Sequence, residues 1–80
     1  MYVSGFNIPG FLPDADPTEH ETLADAKESL VWWIEQYIDC MAGCGESYST
    51  EESVLEEFKA APAQLANVYV GDFVYWISEA

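Results

Sequence analysis

Between Leu23 and Met41, apolar side chains recur every three or four residues, and no other feature of this 80-residue chain restricts its fold so tightly. Leu23, Ala26, Leu30, Trp33, Ile34, Tyr37 and Met41 fall on one side of a helical projection. Asp25, Glu28, Ser29, Glu35, Gln36 and Asp39 fall on the other, with Trp32 among them. The spacing predicts a helix over 23–42. Thr22 suits its N-cap, and Asp25, three residues on, completes an approximate capping box and complements the positive end of the helix. Gly43 is the expected stop. A helix with one apolar stripe must bury that stripe against another layer, so the rest of the chain has to supply a cover.

Two further segments can do so. A second helix is predicted over 51–61, capped by Ser49 or Thr50, with Glu51 and Glu52 in its first turn and Val54, Leu55 and Phe58 on its buried side. Pro62 ends it or kinks it. Residues 67–78 read as a hairpin about Gly71-Asp72, a register that pairs Val70 with Phe73, Tyr69 with Val74 and Val68 with Tyr75. Val68, Val70, Phe73, Tyr75 and Ile77 then share the face that should receive the helices, while Tyr69, Val74 and Trp76 share the other. Residues 2–8 form a first strand closed by Pro9-Gly10, and 13–21 read as a polar loop. The expected fold is a single α+β domain over 1–80. Its order is β-α-α-β-β, with two helices packed on one face of a three-stranded, mainly antiparallel sheet. A domain of this size buries only about 60% of its unfolded surface.

Fifteen Asp and Glu stand against two lysines, Lys27 and Lys59, with no arginine, for a net charge of −13. Half the residues are hydrophobic and 15% aromatic, a composition that argues for folding rather than disorder. Solubility alone asks for a net charge of magnitude about 2–8 in a small domain. The excess is either general acidity or a surface matched to a basic partner. Direct nucleic-acid binding is disfavoured, because phosphate contacts need Lys and Arg. Met1–Gly10 lacks the positive start and apolar run of a signal peptide, and no stretch approaches the length of a membrane span, so the expected compartment is cytoplasmic.

The first helix sets Asp25, Glu28, Glu35 and Asp39 along about 21 Å, at about 1.5 Å per residue. The second adds Glu51, Glu52, Glu56 and Glu57. A solvated helix face is the plain reading, but such faces usually alternate acids with lysines and these scarcely do. Asp25, Glu28, Trp32, Glu35, Asp39, Glu52 and Glu56 are the candidate partner-binding residues. Trp32 is either a binding anchor, since Trp is enriched at hot spots and stacks on Arg, or a ring covered by the first strand or the 10–20 loop. Tyr69, Val74 and Trp76 would form an apolar patch if uncovered, suited to a protein contact or a homodimer, unless the loop around Phe11 and Leu12 covers them.

Catalysis and metal binding are not expected. Asp14, Asp16, Thr18, His20, Thr22 and Asp25 have calcium-loop spacing but put Glu19 where glycine is needed and Asp where a bidentate Glu belongs. Cys40, Cys44 and His20 make only three zinc ligands without a paired CxxC, and the thiols read as free and partly buried. One histidine and no nucleophile motif make no active site, and no cofactor is implied.

The opening YVSGFNIPGFLPDADP, with its strand, IPGFLP turn and acidic loop ahead of an acidic helix, resembles small acidic proteins encoded by bacteriophages. Among these the chain is similar to anti-CRISPR proteins that act on type I-C effector complexes. The resemblance implies an inhibitor that binds the effector complex and blocks target DNA in the manner of a DNA mimic. It carries no catalytic residues across. The other reading is a small structural or regulatory phage protein working through protein contacts.

Overall fold

A computed structural model describes residues 1–11 and 17–80. The chain runs β1 (Tyr2–Asn7), β2 (Thr18–His20), α1 (Leu23–Gly43), α2 (Ser49–Ala60), β3 (Ala66–Val70) and β4 (Phe73–Glu79), so the fold is α+β with both helices on one face of an antiparallel sheet. Among the described residues the sheet has four strands in the order β2-β1-β4-β3, not three. The strand unforeseen from sequence is β2, within the segment expected as a polar loop. It pairs Val3 with Glu19 and Tyr2 with His20 along the edge of β1. Three polar residues show no alternation of their own. Backbone groups of β1 recruit them, and His20 Nε2 lies 2.8 Å from the buried Ser4 hydroxyl.

The hairpin register is as expected: Val70 opposite Phe73, Tyr69 opposite Val74, Val68 opposite Tyr75. Gly71 holds φ at 59°, the left-handed value a two-residue turn with glycine first requires. β4 continues into the centre of the sheet beside β1, pairing Ser4 with Ile77 and Phe6 with Tyr75. The first and last strands are therefore neighbours, and Ala80 N–H donates to the Met1 carbonyl.

Strand pairing sorts the sheet residues into two faces. Val70, Tyr75 and Ile77 point to the helices and are buried with Ala26, Leu30, Ile34 and Ile38 of α1 and Leu55 and Phe58 of α2. Ile38 lies outside the apolar stripe read from the sequence, and Trp33, inside it, stays 40% exposed. On the outer face the Trp76 indole lies across Gly5 and donates to Asn7 Oδ1 at 2.8 Å.

The helix ends differ in detail from expectation. Thr22 caps α1 as predicted, its hydroxyl accepting from Asp25 N–H at 3.1 Å. Gly43 remains helical, however, and the left-handed residue is Gly45, with φ 77°. Gly45 N–H reaches the Ala42 carbonyl and Glu46 N–H the Met41 carbonyl, which is the Schellman arrangement. Tyr48, rather than Ser49 or Thr50, occupies the N-cap of α2, without a side-chain cap. The Ser53 hydroxyl bonds back to the Ser49 carbonyl instead. α2 stops at Ala60 because Pro62 drives Ala61 to extended backbone. No helix of the described residues is long and apolar enough to cross a membrane.

Candidate acidic interaction surface

α1 and α2 lie antiparallel, since Lys27 near the start of α1 reaches the end of α2. Its ammonium donates to the carbonyls of Lys59 and Ala61 and stands 5.9 Å from the centre of the Phe58 ring. These carbonyls belong to the last turn and the exit of α2, where the helix has orphan acceptors and a negative dipole end. Further along the seam Lys59 lies 3.7 Å from Glu35 and 3.9 Å from Glu56, both exposed pairings. The two lysines of the chain are thus engaged within it.

At Lys59 the seam opens into a shallow groove of about 230 Å³, and Lys59 is part of its lining. Glu35 and Asp39 enter it from α1 and Glu52 and Glu56 from α2, over a floor that includes Ile38 and Leu55. Four of the six acids expected at the site therefore converge. Asp25 and Glu28 do not line the groove. They are exposed further toward the N-terminus of α1. On the outer side of α2 a broader depression of about 890 Å³ is lined by Glu52, Glu56, Glu57, Tyr48 and the serines 47, 49 and 53. Glu57 and Lys59 were not among the expected site residues. Lys59 was detectable as the i+3 partner of Glu56.

Trp32 is 54% exposed, so neither the first strand nor the described part of the 10–20 segment buries it. It meets Trp33 edge to face, with centroids 4.8 Å apart. Trp33 packs on Phe6 at 5.2 Å, and Phe6 stacks on the buried Tyr75 at 5.2 Å. The aromatic contacts form a continuous path from the core to the surface.

The expected apolar patch on the outer sheet face is smaller than the strand pattern implied. Tyr69 is 64% exposed, but Val74 is buried and Trp76 is mostly covered. Leu12 lies outside the described residues, and Phe11 is exposed.

Two tyrosines have perturbed acidity. Burial pushes the Tyr75 phenol up to about 12, with Tyr37 as a second cause. Tyr37 is raised by burial and then by the charges of Asp72, Glu51 and Glu46, against a backbone hydrogen bond at Asp72 that lowers it. Both phenols stay protonated at neutral pH and belong to the packing.

Among the described residues no three His, Cys, Asp or Glu side chains come together as metal ligands. Cys40 and Cys44 are exposed free thiols rather than partly buried ones. Of the calcium-like series, Asp14 and Asp16 lie outside the described residues. Thr18 and His20 stand in β2, and Thr22 and Asp25 form the start of α1. Ser4 is 3% exposed, so its contact with His20 satisfies a buried hydroxyl and presents no accessible nucleophile. In comparisons with protein families, curated proteins and solved structures, nothing matches this chain.

Proposed function

We propose that this chain is a non-enzymatic inhibitor that seats its acidic helical face on a cationic protein surface built to receive nucleic acid. The observation that carries the reading is the convergence of Glu35, Asp39, Glu52 and Glu56 on one groove, where four carboxylates face the single ammonium of Lys59 and Lys27 is held at the end of α2. Asp25 and Glu28 extend the negative surface along α1, and Trp32 stands between the two sets. Duplex DNA carries about one charge per 1.7 Å of axis. One helix is sparser than that, and two helices together narrow the gap. The resemblance of the opening segment implies as partner the DNA-binding channel of a type I-C CRISPR effector complex, and the action would then lie in the cytoplasm of a bacterial cell. Carboxylates held on rigid helices would occupy the positions of phosphates and exclude target DNA.

The test is a charge reversal. Glu28→Lys, Glu35→Lys and Asp39→Lys together take the net charge from −13 to −7, two units per reversal. Binding to the effector complex, measured by surface plasmon resonance, should disappear, while the circular dichroism spectrum stays that of the parent. Association of the parent chain should slow steeply as salt rises, because screening shortens the Debye length to about 8 Å at physiological strength. Duplex DNA and the protein should compete for one site. Simultaneous binding of both with undiminished affinity would refute mimicry. The other reading, a structural or regulatory phage protein, draws on the exposed Tyr69 of the outer sheet face, and a dimer in solution that Tyr69→Ser dissolves would favour it.

A further inference from the structure

Trp32 carries more information than its place in an acidic stripe. On a helix, residues three and four apart are surface neighbours, with Cβ atoms about 5–6 Å apart. Glu28 is four residues before Trp32 and Glu35 three after, so a carboxylate flanks the indole one turn away on either side. Neither lysine reaches this ring: Lys27 lies over Phe58 and Lys59 bridges Glu35 and Glu56. An edge-to-face pair covers at most one face of either ring, so Trp33 leaves Trp32 at least one face free. The side chain is also backed from below, through Trp33 and Phe6 to the buried Tyr75. A supported indole loses little freedom when a partner binds, which favours affinity.

Resting on the acidic-surface reading above, we infer that Trp32 with Glu28 and Glu35 forms a receptor for an arginine side chain of the partner. The guanidinium would stack on the indole and donate to one or both flanking carboxylates. Arginine fits better than lysine on two grounds. Its planar cation stacks on an aromatic face with little desolvation, and its fork of N–H donors matches a carboxylate in two places at once. A lysine ammonium offers a compact, strongly hydrated charge instead. The Glu35 carboxylate also sits 3.7 Å from Lys59, a long, exposed pairing that an incoming guanidinium can displace. The acids elsewhere on the helices would supply attraction to any cation. Trp32 would make the surface prefer arginine.

Fluorescently labelled oligo-arginine and oligo-lysine peptides of equal length are the probes, titrated with the intact protein at low salt and read by anisotropy. The arginine peptide should bind about three- to tenfold tighter. Trp32→Ala should bring the arginine peptide to the affinity of the lysine peptide and leave the latter unchanged. Trp32→Phe should keep part of the preference, and Glu28→Gln should weaken both peptides. Equal binding of the two peptides by the parent protein would overturn the inference and leave the acidic-surface reading standing. A preference that survives Trp32→Ala would overturn it too, by assigning the selectivity to carboxylates alone. If neither peptide binds, both readings fall.

Discussion

Gly5 is the position where a single methyl group tests the packing most directly. A Cβ built there would lie 2.6 Å from Trp76 Cζ2 and 2.9 Å from Cη2, distances that real carbon contacts do not reach. The indole cannot swing away freely. Its N–H donates to Asn7 Oδ1, and the Asn7 amide in turn donates to the carbonyls of Ile8 and Phe11. In Gly5→Ala, either the ring shifts and the Trp76–Asn7 bond is lost, at about 1 kcal/mol, or β1 moves against β4 with overpacking of about 1–3 kcal/mol. Reduced freedom of the unfolded chain returns about 0.4–1 kcal/mol. The expected net loss is between about 0 and 2.5 kcal/mol, larger if β1 moves than if the ring shifts. Urea unfolding followed by circular dichroism should show a lower midpoint with an unchanged slope. A double-mutant cycle isolates the cause: in a Trp76→Ala background, Gly5→Ala should be neutral or stabilising. If Gly5→Ala has the same effect in both backgrounds, the indole does not lie over Gly5.

Leu30→Ala removes a side chain with no solvent exposure at the centre of the core, and thermal or urea unfolding should show a loss of about 2–5 kcal/mol, whereas a change below about 0.5 kcal/mol would put Leu30 at the surface. Tyr75 should make stability fall in alkali: its phenol ionises near 10 when unfolded and near 12 when folded, so its contribution is complete below pH 10 and lost as pH rises through about 12, roughly 2–3 kcal/mol in all. Tyr75→Phe should flatten that fall in urea midpoints measured across the alkaline range, and an unchanged slope would assign it elsewhere.

The elements that could be read from sequence are those whose periodicity repeats. α1 repeats its stripe over five turns, and the hairpin states its register twice, in turn chemistry and in alternation. β2 has three residues, all polar, and its pairing is decided by the free edge of β1 and the Ser4–His20 contact, neither of which is local. Ile38 was missed for a related reason. A stripe drawn for one covering layer is too narrow when the sheet covers α1 on one side and α2 on the other, and Ile38 meets Leu55 on the second. The same crossing explains the site. Asp25, Glu28, Glu35 and Asp39 lie on one side of a lone helix, but which of them line a groove depends on α2, and only Glu35 and Asp39 do.

Composition alone could not say whether the acidity is general or directed at a partner, because a count of lysines does not say where they are. Their positions add something. Lys27 closes the C-terminal end of α2 by holding the carbonyls of Lys59 and Ala61, with its ammonium over Phe58, a role that an acid could not fill. Lys59 lies where carboxylates of both helices approach each other, and without it Glu35 and Glu56 would repel across the seam. Each lysine therefore has a use in joining the helices, and Lys59, 41% exposed, is the one basic side chain in the groove. Solubility does not require that, since surfaces with interspersed charges of both signs serve it well. Self-repulsion opposes it, because every unneeded acid raises the energy of the compact state. A surface from which all cations except those at the helix seam are absent is under a constraint that folding and solubility do not impose. The proposed recognition of a cationic partner would account for it, because each further lysine on that face would repel the surface it has to meet.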